Sequence, residues 1–275
     1  MAVAAAVLGS LTAGVVTANA TTGEHYVALG DSFAAGSGNF PVTGLAVCGR
    51  SAVGYPELVA KTLGVTTFTN ATCSGATSSH LSESQYGIVP PQFDALAPDT
   101  TLVTITMGNN DIALASSAFT CIEPLPNLLG GTCVDRFTAG GVDVIADKLR
   151  TLSSTYGPTL DQIHALAPHA EIVVVGYPNM SRPGGCAEQP IGPGDIDYLQ
   201  ENLTNLNAVL QQISHDHDTI FVDAATPSIG HDMCAPVDQQ WVTGVIPPAG
   251  ASPAVLHPSA IGEKNLARLV IDALS

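Results

Sequence analysis

The feature that most constrains this chain is an alternation of short β-branched or apolar runs with stretches of helical periodicity. Five runs stand out, at residues 26–29, 66–69, 101–107, 172–175 and 219–222. Each is followed at once by Gly, Asn or Asp, residues that turn a chain at a strand's carboxyl end. Between them, Ile196, Leu199, Leu203, Leu206, Leu210 and Ile213 recur at steps of three and four, which places them on one stripe of a helix. Val142, Ile145, Leu149 and Leu152 form a shorter stripe that Gly157-Pro158 is expected to interrupt, and Leu266, Leu269, Val270, Ala273 and Leu274 form a third. Strands that alternate with helices and are apolar almost throughout read as a parallel sheet covered on both faces. The expectation is an α/β fold.

The chain has 275 residues, enough for one large α/β domain or two small ones. Its 24 Asp and Glu outweigh 8 Lys and Arg, for a formal charge of −16. Phosphate binding needs clustered cations, so nucleic acid and anionic membrane surfaces are disfavoured as partners. A hydrophobic content of 45% excludes intrinsic disorder.

Residues 1–20 are uncharged and end in Ala18-Asn19-Ala20, the small-x-small pattern of signal-peptidase cleavage. They read as a signal-peptide-like segment, leaving 21–275 as the exported, extracellular part. A basic start is missing, and Gly9, Ser10, Thr12 and Gly14 interrupt the apolar core short of a comfortable membrane span. No other stretch is long and apolar enough to cross a bilayer, so stable membrane insertion is not expected. Six cysteines, Cys48, Cys73, Cys121, Cys133, Cys186 and Cys234, favour three disulfides in an exported protein, with the pairing left open by spacing. No cysteine spacing resembles a zinc site. His215-x-His217, the nearest thing to a metal pair, reads as a solvated helix end beside Asp216 and Asp218.

In parallel α/β folds, reactive groups collect beyond the carboxyl ends of the strands. Gly30-Asp31-Ser32 presents a hydroxyl on a tight turn after the first run. Gly75, in Thr72-Cys73-Ser74-Gly75-Ala76-Thr77, lies in a small-residue loop past the second. Gly108-Asn109-Asn110-Asp111 follows the third, where an Asn can project its amide into a cleft. Far downstream, His257-Pro258-Ser259 stands at the mouth of the last helix, with Ser259 as its cap. Each element alone is compatible with plain turn chemistry. The Gly/Pro-rich stretches 36–54 and 180–194 read as loops that shape a binding cleft.

Together, Gly30-Asp31-Ser32, Gly75, Gly108-Asn109-Asn110-Asp111 and His257-Pro258 resemble the SGNH hydrolases, also called GDSL esterases and lipases, in order and spacing. The text from Asn70 to Thr77 is similar to that of secreted actinobacterial lipases of the Streptomyces type. The resemblance implies a flavodoxin-like three-layer αβα sandwich with a central parallel five-stranded sheet, formed by 21–275 as one domain. It implies Ser32 as nucleophile and His257 as base. The backbone N–H groups of Ser32 and Gly75, with the amide of Asn109, are implied as the oxyanion hole. Sequential disulfides, 48–73, 121–133 and 186–234, are implied as well, and neither metal nor cofactor.

One position departs from the family pattern. An Asp three residues before the catalytic His is usual, and here that residue is Ala254. No carboxylate lies between Asp238 and His257, so a Ser-His dyad is expected, with a main-chain carbonyl of Ala254 or Val255 orienting the imidazole. Asp232 folded back is the alternative. Asp31, Asn110 and Asp111 read as structural anchors. The function expected is a secreted carboxylic-ester hydrolase, an esterase or lipase, acting as a monomer on neutral small-molecule or lipid esters. A phospholipase or carbohydrate deacetylase of the same family is the runner-up, ahead of a noncatalytic binding protein or a cofactor binder on this scaffold. Only Trp241 and a few Tyr and Phe could form sugar platforms, which favours acyl-chain esters.

Overall fold

Five strands form within a residue or two of the apolar runs: β1 (His25–Gly30), β2 (Thr67–Asn70), β3 (Leu102–Thr106), β4 (Glu171–Val175) and β5 (Ile220–Val222). All are parallel, in the order β2-β1-β3-β4-β5. The computed structural model describes residues 24–123, 128 and 131–275. The signal-peptide-like segment, 1–20, lies outside the described residues.

Among the described residues the helices are α1 (Ser32–Ala35), α2 (Tyr55–Leu63), α3 (Leu114–Thr120), α4 (Cys133–Phe137), α5 (Val144–Leu166), α6 (Pro193–Asp216) and α7 (Ala260–Ala273). Alternate strand residues serve opposite faces. Tyr26, Ala28, Val173 and Val175 pack with Val59 of α2 and Leu266 and Val270 of α7. Val27, Leu29, Ile172 and Val174 pack with Leu149 and Leu160 of α5 and Leu199 and Leu206 of α6. The result is three layers, with a buried sheet between two pairs of helices.

One expectation fails. Gly157-Pro158 does not interrupt the second stripe, because α5 runs through it to Leu166. Ile145, Leu149 and Leu152 continue into Tyr156, Leu160 and Ile163, all buried. Burial of that extended stripe outweighs the roughly 3 kcal/mol that an internal proline costs. Val142 falls outside the stripe, ahead of the helix cap Asp143.

Three disulfides pin the loops, Cys48–Cys73, Cys121–Cys133 and Cys186–Cys234, the sequential pairing implied by the resemblance.

Glu263 of α7 is buried against the start of α2. Its Oε2 accepts the Tyr55 N–H at 2.7 Å, and Oε1 has no partner among the described residues. Burial pushes its pKa well up, against the weaker opposing pull of that hydrogen bond. The folded value lies above the unfolded one, so the group contributes stability at low pH that is lost as pH rises toward the folded value. Glu263→Gln, which mimics the protonated form, is expected to raise Tm at pH 8 by about 3 °C or more and leave it unchanged at pH 4, as read by thermal melts.

Candidate active site

Ser32 owes its position to the join between β1 and β3. Gly30 has φ +142°, and a Cβ there would lie 2.5 Å from the Thr106 carbonyl oxygen, so only glycine lets the strands converge. The Asp31 N–H donates to that oxygen at 2.9 Å, carrying the ladder one residue past β1. Gln92 clamps Gly30 from below, its Oε1 accepting the Gly30 N–H and its Nε2 donating to the Gly30 carbonyl. Asp31 then caps α1 by accepting the Phe33 N–H at 2.8 Å. The turn leaves Ser32 at the head of the strand as the first residue of α1.

His257 arrives from 225 positions away, and its Nε2 lies 2.7 Å from Ser32 Oγ. Its Nδ1 lies 2.7 Å from the Val255 carbonyl oxygen. A carbonyl only accepts, so Nδ1 carries the proton and the Nε2 lone pair accepts the Ser32 O–H. Of the two carbonyls expected near the ring, that of Val255 faces Nδ1, while that of Ala254 accepts the His257 backbone N–H at 2.9 Å. The chain folds back between them because Leu256 adopts φ +57°, a left-handed conformation that costs a branched residue about 1–3 kcal/mol. Two hydrogen bonds to Thr243 hold it there, Leu256 N–H to the Thr243 carbonyl and Thr243 N–H to the His257 carbonyl. Asp232 is occupied elsewhere, paired with Arg182 at 3.0 Å and accepting the Cys234 N–H. Burial pushes the His257 imidazole below its ordinary value, with the Val255 hydrogen bond pulling the other way.

Gly75 lies in the loop after β2 with φ +75°, a conformation that favours glycine. The Cys48–Cys73 bridge and the Arg50 guanidinium, which donates to the Thr72 carbonyl, brace that loop. Among the described residues, neither the Ser32 nor the Gly75 amide has a protein acceptor. Asn109 follows β3; its side-chain amide makes no hydrogen bond to a described residue, and its buried Oδ1 is unpartnered. Asn110 donates to the Ala76 carbonyl and Asp111 accepts from the Ser78 N–H, which stitches this turn to the Gly75 loop.

Tyr177, just past β4, is a residue that sequence reading missed. Its hydroxyl donates to Asp31 Oδ2 at 2.7 Å and accepts the Asn109 N–H at 3.1 Å. Its ring meets Phe33 edge-on, and Phe33 in turn packs against the His257 ring. The sequence offers only a weak signal, that Gly176-Tyr177 follows a strand end as the other loaded turns do. Burial pushes Asp31 up to about 7, against the Tyr177 and Phe33 hydrogen bonds that pull it down.

An apolar pocket opens beside these groups, lined by Phe33, Leu114, Ala118, Phe119, Met180 and Leu256, with His257 and Asn109 at its edge. At the end of α6, His217 bonds Asp161 at 2.7 Å, and His215 pairs with Asp216. Among the described residues, no group of three or more His, Cys, Asp or Glu side chains is placed to hold a metal.

Residues 28–264 match the family model described as "GDSL-like Lipase/Acylhydrolase family". "Lipase 2" of Streptomyces coelicolor is 34% identical, over 97% of this chain and 91% of the relative. The solved phospholipase A1 of Streptomyces albidoflavus NA297 superposes with a TM-score of 0.76 at 26% identity, covering 92% of this chain and all of that one. The extracellular lipase of Streptomyces rimosus does so with a TM-score of 0.76 at 29% identity, covering 91% and 99%.

Tyr177→Phe strands both the Asn109 N–H and a carboxylate oxygen of Asp31. It is expected to lower stability by about 1–3 kcal/mol in urea titrations. The loss should be larger at pH 8 than at pH 5, because the missing hydrogen bond favours the ionised form of Asp31.

Proposed function

The chain belongs to the GDSL-like lipase/acylhydrolase family and is an ester hydrolase, and we propose that it works as a secreted carboxylic-ester hydrolase of the esterase or lipase kind through a Ser-His dyad. The observation that carries the reading is the chain of two 2.7 Å contacts from the Val255 carbonyl through His257 to Ser32 Oγ. As Oγ attacks the ester carbonyl carbon, its proton passes to Nε2, while the other proton stays on Nδ1, donated in a hydrogen bond to the Val255 carbonyl oxygen. The imidazolium then protonates the leaving alkoxide, and the acyl group remains on Ser32. In the second half, Nε2 takes a proton from water, hydroxide attacks the acyl carbon, and the returning proton frees Oγ. A carbonyl stabilises the imidazolium less than a carboxylate would, but it selects the same tautomer.

The uncommitted amides of Ser32 and Gly75, with the Asn109 side chain, are suited to receive the tetrahedral oxyanion. The apolar pocket at His257 supports an acyl chain as the group bound, and the names of the relatives, lipases and a phospholipase A1, agree with acyl esters. Export is proposed from the leader-like pattern of 1–20, from three disulfides of a kind that persists outside the cytosol, and from the extracellular S. rimosus relative. We take 21–275 to act as one domain, because Ser32 and His257 meet from opposite ends of it.

A serine-directed organophosphonate is expected to label Ser32, with the adduct located by mass mapping; labelling elsewhere would refute the nucleophile. Asn109→Ala should lower kcat on p-nitrophenyl esters about a hundredfold or more while leaving the fold intact by circular dichroism.

The base must be unprotonated to act, so a depressed His257 pKa moves the acid limb of kcat/KM to lower pH. The limb is expected below about 6.5, the ordinary imidazole value, and Asp31→Asn should leave it in place.

A further inference from the structure

Exposed apolar side chains concentrate on two small hairpins. Phe40, Val42, Leu45 and Val47 belong to the first, closed by the Val42–Ser51 bridge and by the Thr43 N–H on the Arg50 carbonyl. Tyr86 and Ile88 belong to the second, closed by the Gln85–Val89 bridge. Phe40 is 70% exposed and Ile88 68%. Both hairpins are fastened to one residue, Ser74. Its N–H donates to the Cys48 carbonyl at 3.0 Å, and its own carbonyl accepts from Gln85 Nε2 and the Tyr86 hydroxyl. The next residue is Gly75, and a Cβ on it would lie 3.0 Å from the Tyr86 hydroxyl oxygen. The two apolar tips are therefore anchored to the segment that carries one of the proposed oxyanion donors.

Charge follows the same division. The chain has 24 acidic residues, yet none falls within 32–56, 71–82 or 84–93. The single cation there, Arg50, donates inward to the Thr72 carbonyl. The two hairpins themselves carry no acid, with Glu83 just ahead of the second and Asp238 lining the cavity beside Phe40; at net charge −16 an anionic surface repels the molecule as a whole, whereas an uncharged one does not. Exposed apolar side chains gain free energy by entering an acyl layer in proportion to the area they bury.

We propose that these two hairpins dock the enzyme reversibly on the surface of a zwitterionic lipid aggregate, so that ester groups are delivered to Ser32 from the aggregate rather than from solution. The proposal rests on the ester-hydrolase reading but adds where the substrate is met. Docking is shallow, since it uses a handful of side chains on disulfide-braced loops.

Flotation with phosphatidylcholine vesicles tests it. The Ser32→Ala chain, which leaves the lipid intact, is expected to float with the vesicles. Adding Phe40→Asp and Ile88→Asp should lower the bound fraction about tenfold or more. The milder pair Phe40→Ser and Ile88→Ser should lower it less, and Ile229→Asp, on the loop after β5, should not change it. With Ser32 restored, the Asp pair should hydrolyse dissolved p-nitrophenyl butyrate at the parent rate, which also shows that it folds. A parent that stays in solution, charged variants that float as well as the parent, or a preference for phosphatidylglycerol vesicles would overturn the proposal. Failure of the hydrolase reading would look different: no turnover of dissolved butyrate by the unmodified chain, with flotation untouched.

Discussion

Parallel pairing of β1 with β3 is the constraint on which the rest of this structure depends. A parallel sheet brings every strand's carboxyl end to one edge, and in the order β2-β1-β3-β4-β5 the connections leave β1 and β3 toward opposite sides. The turns after these two strands therefore flank a crevice. One carries Ser32 and the other Asn109. The contact that sets their spacing is the approach of Gly30 to the Thr106 carbonyl, extended by the Asp31 N–H on the same oxygen. A side chain at Gly30 would push the strands apart at the point where the site is assembled.

Two short hydrogen-bond chains, each with its own orienting acceptor, lie within that frame. One runs from Ser32 through His257 to the Val255 carbonyl, and the other from the Asn109 N–H through Tyr177 to Asp31. Phe33 separates and packs against both rings. Burial pushes the titratable members toward neutrality, His257 downward and Asp31 upward. The same desolvation makes each bond stronger than it would be in water and makes an unpaired member costly.

How much of this was legible beforehand varies by element. The strands and the α6 stripe were readable because period and burial coincide there. Pro158 misled because local propensity is a weak prior against a stripe that continues to be buried on both sides of it. Tyr177 was hidden for a different reason: a tyrosine after a strand is ordinary, and only its hydroxyl's distance to two other turns makes it notable. The cysteine pairing could not be read from spacing either, and came only through family resemblance.

The sequence by itself determined the α/β alternation, the acidic character, the four loaded turns and the absence of a carboxylate just ahead of His257. These are properties of periodicity and composition, which are local. Only the tertiary structure decided that the Val255 carbonyl, rather than that of Ala254, faces the imidazole, because the choice turns on a left-handed Leu256 held by Thr243. It alone placed Tyr177 between Asp31 and Asn109, and gathered two acid-free hairpins at Ser74. Such arrangements join residues far apart in the chain, and their energies depend on distances and burial that no local pattern encodes.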